Sequence, residues 1–448
     1  MKRLISLKTG KTLFLWGFLL TCFTALLPPD ARSAANNDSY TPPPQHRKLF
    51  NENVTIDTFP GWINSFLNSL EWKKHKRPNE LTSEILQKSF VLGRRFMLNN
   101  QKPEGNFNYQ YDFVKKKMDT SDNQVRQAGA LWGLSLMYRY DPDPKNKIAL
   151  EKALKFFFDH TKKGAVDGTL VIAYPGESTC KTGTVALVAL AIIEYLRTEK
   201  DGNVQLPVSY KKDLTDRLNG YIRHLQHMIL PNKLFSMSYD LKNKKKSSRS
   251  SPYFDGEAIL CLVKAAKYLG YTRLIPLIET SSIVMAKTYT IDQWKTDPDS
   301  KLTKGFFQWS CMAFWEYHDA GWKNATAFGD YVLSLSWWMI HTHKTLKRTR
   351  NTAYAYEGII HGYRIAKTGN HQAAVHDLAY TIDKGLMKLT SWQVGGPLQS
   401  RNRFLTSNPT ADSLAIGGIM NHKRKPPLRI DVTQHQMHSV ILAIKYVY

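Results

Sequence analysis

The feature that most constrains this chain is an alternation between two kinds of apolar segment. One kind is apolar nearly all round: Val185 to Ile193 reads V-A-L-V-A-L-A-I-I without a polar interruption, as a helix buried on every side requires. The other kind is amphipathic. Leu214, Leu218, Tyr221, Leu225 and Met228 recur at steps of four and three with polar residues between them, so only one stripe needs cover. Strand-like alternation is hardly present, and the pattern predicts an all-α fold.

The fully apolar kind recurs near 122–139, 179–198, 255–269, 307–321, 352–368 and 431–446. Each of the first five is followed by a more polar partner, near 145–162, 208–230, 271–289, 324–345 and 370–391. One helix is then left over at each end. The first, near 80–100, carries Leu86, Phe90, Gly93 and Met97 on one face and is expected to pair with the last, completing a sixth hairpin and closing a ring. The expected architecture is an (α/α)6 toroid of six helical hairpins. Gly and Asn in Y-L-G-Y-T-R, D-A-G-W-K-N and A-K-T-G-N-H fall where helix C-caps and short interhelical turns need them.

The N-terminus has the marks of export. Lys2, Arg3, Lys8 and Lys11 precede a short apolar run from Leu13 to Leu27, and the small-residue pattern Ala31-Arg32-Ser33-Ala34 follows Pro28-Pro29. Residues 1–33 therefore read as a signal peptide, 34–50 as a Pro-rich linker and 51–448 as the toroid domain. The expected location is periplasmic or secreted, with no membrane span after cleavage; an uncleaved N-terminal anchor is the alternative. Of 62 basic and 37 acidic side chains, residues 1–33 hold five and one, which leaves a formal charge of +21 on the remainder. Such a surface attracts polyanions, an acidic polysaccharide among them. Lys242, Lys244, Lys245, Lys246 and Arg249 precede an inner helix and are candidates for the rim of the ring. Cys180, Cys261 and Cys311 are odd in number and widely spaced in apolar helical surroundings, so they form no disulfide framework and no zinc-finger spacing.

In such a ring the inner helices run the same way and their N-termini converge on one end, where free N–H groups and helix dipoles favour anions. Polar clusters are expected to meet there: Asp119, Asp122, Asn123, Arg126 and Gln127 on the first inner helix, Tyr174, Glu177 and Lys181 on the second, and Tyr253, Asp255 and Glu257 on the third. Gln308, Trp309, Trp315 and Glu316 belong to the fourth, Tyr354, Tyr356, Glu357 and His361 to the fifth, and Asp431, Gln434, His435 and His438 to the sixth. A single acid in a first helical turn is commonly a cap. Acids combined with Tyr, Trp, His and Arg on several inner helices instead fit the binding and cleavage of sugars, where hydrolysis needs one protonated and one ionised carboxyl across the scissile bond.

Four segments, P-E-G-N-F-N-Y-Q-Y-D (103–112), D-N-Q-V-R-Q-A-G-A-L-W (122–132), Y-F-D-G-E-A-I-L (253–260) and R-I-D-V-T-Q-H (429–435), carry a resemblance. The chain resembles a family of bacterial six-hairpin (α/α)6 toroid proteins, distantly similar to six-hairpin glycosidases and to the C-terminal region of glucuronyl C5-epimerases. The resemblance spans residues 80–448 and implies site positions at Glu104, Arg126, Gln127, Tyr253, Glu257, Asp431 and His435. Where the family motif has Y-Y-P-G-E-A, this chain has Y-F-D-G-E-A, so Asp255 is an additional carboxylate.

The expected function is an exported carbohydrate-active enzyme, a glycoside hydrolase acting on an envelope or extracellular polysaccharide. Glu257 or Asp255 would supply one half of the acid/base pair, with Asp122, Glu104 or Asp431 opposite. Arg126, Gln127, Glu357 and His435 would bind or orient substrate, and Tyr253, Trp309 and Tyr354 would stack on it. Two alternatives stay open: a polysaccharide lyase or uronate epimerase acting on an acidic glycan, and a non-catalytic polysaccharide-binding or envelope assembly protein. No P-loop, GxGxxG, GxSxG or HExxH pattern is present, no cofactor or metal is called for, and nucleic acid is not an expected partner. His435-x-x-His438 has two-ligand helical spacing but no third ligand beside it.

Overall fold

Helices without a polar face need neighbours on all sides, and a closed ring supplies them. The computed structural model describes Leu49, residues 52–202 and residues 204–448; the expected signal peptide and nearly all of the linker lie outside these residues. Thirteen long helices make up the fold: α1 (Phe59–Asn68), α2 (Ser83–Asn99), α3 (Gln124–Tyr140), α4 (Pro144–Asp159), α5 (Thr182–Lys200), α6 (Val208–His227), α7 (Pro252–Leu269), α8 (Ile275–Ala286), α9 (Lys301–Asp319), α10 (Ala325–Trp337), α11 (Ala353–Thr368), α12 (Gln372–Thr390) and α13 (Ile430–Tyr446). Helices α3, α5, α7, α9, α11 and α13 pack each on the next, and α13 returns to α3, so the inner ring is closed. Outside it, α4, α6, α8, α10 and α12 pair with the inner helices that precede them.

The sixth hairpin is the expected one, with α2 packed on α13 across the chain's length. Gly93 makes that contact close, because a Cβ there would collide with the Met437 thioether. The physical division between layers follows the sequence pattern. In α5 every residue from Thr182 to Thr198 is buried, whereas α6 buries Leu214, Leu218, Tyr221 and Leu225 on a stripe. Helix α1 was not expected; it lies outside the ring against α10, its Phe59 ring 5.9 Å from Phe328.

Nine strands of two to five residues are also present, too short to leave a period-two signal in sequence. Strands β1 (Gln110–Asp112), β2 (Lys117–Met118), β8 (Met420–His422) and β9 (Lys425–Arg429) form one antiparallel sheet in the order β2-β1-β9-β8. Strands β3 (Thr161–Lys163) and β4 (Leu170–Ile172) form a second, and β5 (Thr179–Lys181), β6 (Ser238–Asp240) and β7 (Lys245–Lys246) a third. All lie in connections from an outer to the next inner helix, at the end where inner helices begin. The basic stretch expected at the rim is the β6–β7 hairpin; Lys242, Lys244 and Lys245 are exposed, but Lys246 turns inward and donates to the carbonyls of His227 and Ile229 at 2.9 and 2.6 Å.

Cys180, Cys261 and Cys311 are buried and free. Among the described residues no helix is long and apolar enough to cross a membrane.

Candidate functional site in the cup

Four inner helices, α5, α7, α11 and α13, begin without a side-chain cap, which leaves N–H groups and positive dipole ends at the cup. Around them one acid stands apart. Glu257, in the second turn of α7, is 3% exposed, and its Oε2 has no hydrogen-bond partner among the described residues. Burial without a compensating cation raises its pKa well above 4.5, which favours the neutral, protonated carboxyl. Gly183 on the neighbouring helix makes the room, since a Cβ at that position would overlap Oε2. One turn earlier on α7, Tyr253 is 46% exposed at the mouth of the cup.

A second group, on α11 and α13, is a carboxylate with two imidazoles. Glu357 on α11 is fully buried, and its Oε1 lies 3.2 Å from His435 Nδ1 and 3.0 Å from His438 Nδ1. Burial pushes Glu357 up, but the two histidines outweigh it and hold the carboxylate ionised. The effect on His435 is the reverse: burial disfavours its charge, yet Glu357 and then Asp431 raise its pKa above 6.5. With Nδ1 hydrogen-bonded to the carboxylate, Nε2 is the nitrogen left to exchange a proton. Trp309 meets the His435 ring edge-on at 6.1 Å, and Gln308 Nε2 lies 3.1 Å from its Nδ1. Trp309 also packs against Gly256, beside Glu257, so acid and imidazole share one wall.

Asp431 is placed differently. Arg429 binds it through Nε at 2.9 Å and through Nη2, and Arg126 Nε stands 3.3 Å from its Oδ2. Although buried, it is held below the usual carboxylate range by these two guanidiniums and is a poor proton acceptor. Arg126 also donates to the Tyr109 hydroxyl, and 40% of its side chain remains exposed to the cup.

The remaining expected acids do not join this group. Asp122 accepts from Gln127 Nε2 at 2.7 Å and the Tyr174 hydroxyl at 2.6 Å, tying the start of α3 to the loop before β5. Glu104 is exposed on a turn packed over outer helix α4, where Gly105 abuts the Lys152 carbonyl. Gln127 clasps the Phe107 backbone, accepting from its N–H and donating to its carbonyl, both at 2.8 Å. Asp255 has the same task in a sister loop: it accepts from the Phe235 N–H at 2.7 Å and from the hydroxyl of Tyr289, which a π-helical turn after α8 brings inward. Burial lifts Asp255 to about 7. The pairing was readable in sequence, because Y-Q-Y-D-F-V-K-K-K-M (109–118) and M-S-Y-D-L-K-N-K-K-K (237–246) repeat 128 positions apart, as do Gln127 and Asp255.

Three residues expected at the cup, Trp315, Glu316 and His361, lie toward the opposite mouth of the ring. Helix α9 begins at Lys301, not near 307, so at about 1.5 Å per residue Trp315 sits roughly 21 Å along it. His438 occupies the middle, its ring 5.2 Å from Trp132, which in turn lies 5.5 Å from Trp309.

Beside the cup the structure assembles a basic ridge that no single stretch of sequence displays. Segments 349–351 and 421–423 are paired through an Arg350–His422 bridge and the Lys423 N–H to Thr349 carbonyl bond at 3.2 Å. Exposed Lys344, Lys347, Arg350, Lys423, Arg424 and Lys425 have no ion pair among the described residues, while Asp299 serves Arg348 and His343. Burial and Lys423 bring Lys388, beneath the ridge, down to about 8. Tyr354 connects ridge and cup: it senses both Tyr253 and Arg348, and Lys304 stands 5.5 Å over its ring.

No protein-family model and no curated protein matches the chain. Solved structures do share its fold. A sugar epimerase from a ruminal bacterium is 12% identical and superposes with a TM-score of 0.56, covering 82% of this chain and 99% of its own. The cellobiose 2-epimerase of Spirochaeta thermophila gives 13% identity, a TM-score of 0.54 and coverage of 81% and 96%. A family 76 glycoside hydrolase (mannosidase) of Bacteroides thetaiotaomicron gives 11%, 0.52 and coverage of 81% and 97%. At these identities the likeness is one of fold, a toroid of six helical hairpins.

Proposed function

We propose that the protein is a carbohydrate-active enzyme whose cup carries acid–base catalysis on a sugar, with Glu257 as acid and the Glu357–His435 dyad as base. The observation that carries this reading is the opposite tuning of two groups at the cup: a carboxyl whose neutral form is favoured by burial and a half-buried imidazole kept basic by a hydrogen-bonded carboxylate. Tyr253, Trp309 and Tyr354 supply aromatic faces, and Arg126 a donor for a sugar hydroxyl or carboxylate. Proton transfer at a sugar carbon, as in an epimerisation or isomerisation, fits best, because base and acid are both present and neither is committed to an ion pair with Arg or Lys. The sugar epimerases among the fold's relatives support it. The basic ridge beside Tyr354 favours an anionic glycan, which Arg126 would help to neutralise.

Hydrolysis, the reaction expected from sequence, is the second reading. It is favoured by Glu257 as a protonated acid and by the mannosidase of like fold, but it requires Asp431 to leave Arg429 and Arg126 before it can act as base or nucleophile. Incubating the purified protein with neutral and acidic glycans in deuterated water separates the reactions. Solvent deuterium retained on a carbon of an intact glycan marks epimerase or isomerase chemistry, new reducing ends mark a hydrolase, and unsaturated ultraviolet-absorbing ends mark a lyase. Binding with none of the three would leave a non-catalytic sugar-binding protein.

A further inference from the structure

The mouth opposite the cup is lined by all six inner helices, and its electrostatics are unlike those expected for capping alone. Converging helix C-termini carry partial negative charge, and cations in the last turn normally answer it. Here an ionic lattice is already complete. Buried Glu194 takes Lys264 at 2.6 Å, Arg197 at 3.1 Å and Arg139 at 3.3 Å, and Glu316 takes Lys267 at 2.7 Å and Lys264 at 3.2 Å.

Two further cations remain. Arg364 is stacked between Trp315 and Tyr446, its guanidinium carbon 3.5 and 3.6 Å from the ring centroids, and makes no ion pair or hydrogen bond among the described residues. Lys445 stands 5.5 Å over Tyr140, likewise without an acidic partner. Between them and the lattice is a cavity of about 130 Å³, the volume of a few waters. His361, 5% exposed and stacked on Trp315 at 4.9 Å, lines it through its ring.

We propose that this cavity is a binding site for a small oxyanion, a phosphate group or a carboxylate, held by Arg364 and Lys445. Stacking on Trp315 and Tyr446 fixes the guanidinium plane while leaving its edge of N–H donors open, the geometry that two oxygens of one anion accept in parallel. Lys264 and Arg197 raise the local potential without having to leave their carboxylates. The cavity lies among the C-terminal parts of the inner helices, so this site is distinct from the cup whatever reaction the cup performs.

The test is calorimetric titration of the full protein with inorganic phosphate and, separately, malonate at fixed ionic strength, for the wild type, Arg364→Gln, Lys445→Gln and the ridge variant Arg350→Gln. One saturable site is expected, weakened about 10–100-fold in Arg364→Gln, the range for losing charged hydrogen bonds. A smaller loss is expected in Lys445→Gln and none in Arg350→Gln. A preference for phosphate or for malonate identifies the source of the oxyanion. The absence of saturable binding of either probe, or equal weakening by Arg350→Gln and Arg364→Gln, overturns the proposal. Should Arg364→Gln fail to fold, the exposed Lys445 carries the same comparison with Arg350.

Discussion

The two mouths of the ring hold the same kinds of side chain in opposite states. At the back, Glu194 and Glu316 are buried beside several cations each; burial raises their pKa, but Arg197, Lys264 and Arg139 overcome it at Glu194 and lower it to about 2. At the front, Glu257 is buried to the same degree with no cation against it and stays protonated. Burial is common to all three acids, so the number of cations in contact decides which is a structural anion and which is a proton donor.

The strongest way to break this comparison is Glu257→Gln. The amide keeps the size and much of the hydrogen bonding of the neutral acid, so folding is preserved while turnover falls by roughly 10²–10⁴-fold. Rates and melting temperature measured together decide it, and an unchanged rate would return Glu257 to the structural class. The converse change, Glu194→Gln, leaves Arg139, Arg197 and Lys264 facing one another without their shared anion. Urea unfolding should register a loss of about 3 kcal/mol, at the lower end for a broken buried pair because Asp201 and Glu316 retain part of the compensation. A loss under about 1 kcal/mol would mean that the back lattice is no firmer than a surface network.

Gly183→Ala sharpens the front half. Its Cβ presses on Glu257 Oε2, so a cost of about 1–3 kcal/mol from overpacking is expected, with reduced turnover and no change in the back cavity's anion binding.

In pH dependence the two acids should act with opposite sign. Glu257 keeps its proton in the folded state after the unfolded chain has lost it, so its presence lowers stability progressively as pH rises above about 4.5, by at most ~1.4 kcal/mol per pH unit. Glu257→Gln should therefore gain on the wild type as pH increases. The contribution of Glu194 is present above its unfolded value of about 4.5 and is lost as pH falls toward 2. Parallel denaturation curves from pH 2 to 8 for wild type, Glu257→Gln and Glu194→Gln check both slopes, and a constant difference between wild type and Glu257→Gln would place Glu257 in contact with a charge.

Much of the ring was legible in advance because helical burial leaves a period in the chain. The apolar run Val185–Ile193 marks an inner helix, and the stripe Leu214–Leu225 an outer one. Leu86, Phe90, Gly93 and Met97 matched a last helix more than 300 residues away because only a closed ring buries both. Glu257, Glu357, Tyr253 and His435 were expected at the cup for a similar reason, position in the first two turns of inner helices. Position misled for Trp315 and Glu316, because the start of α9 was placed six residues late and the error amounts to more than a turn and a half of helix. Helix α1 did carry a helical period, Phe59, Trp62, Ile63, Phe66 and Leu67, that was missed, whereas the π turn that delivers Tyr289 to Asp255 and the paired segments of the basic ridge left no local period to read.

Sequence by itself thus determined the order and layering of the twelve ring helices, since each depends on a repeat within one segment and on the solvation of apolar surface. Tertiary structure alone decided what each carboxyl does. Asp431 and Glu257 both begin inner helices beside aromatic and basic residues, yet one receives two guanidiniums and the other faces Gly183. Charge state depends on distances between segments that sequence does not order, and over a few ångströms in a buried setting those distances move a pKa by several units.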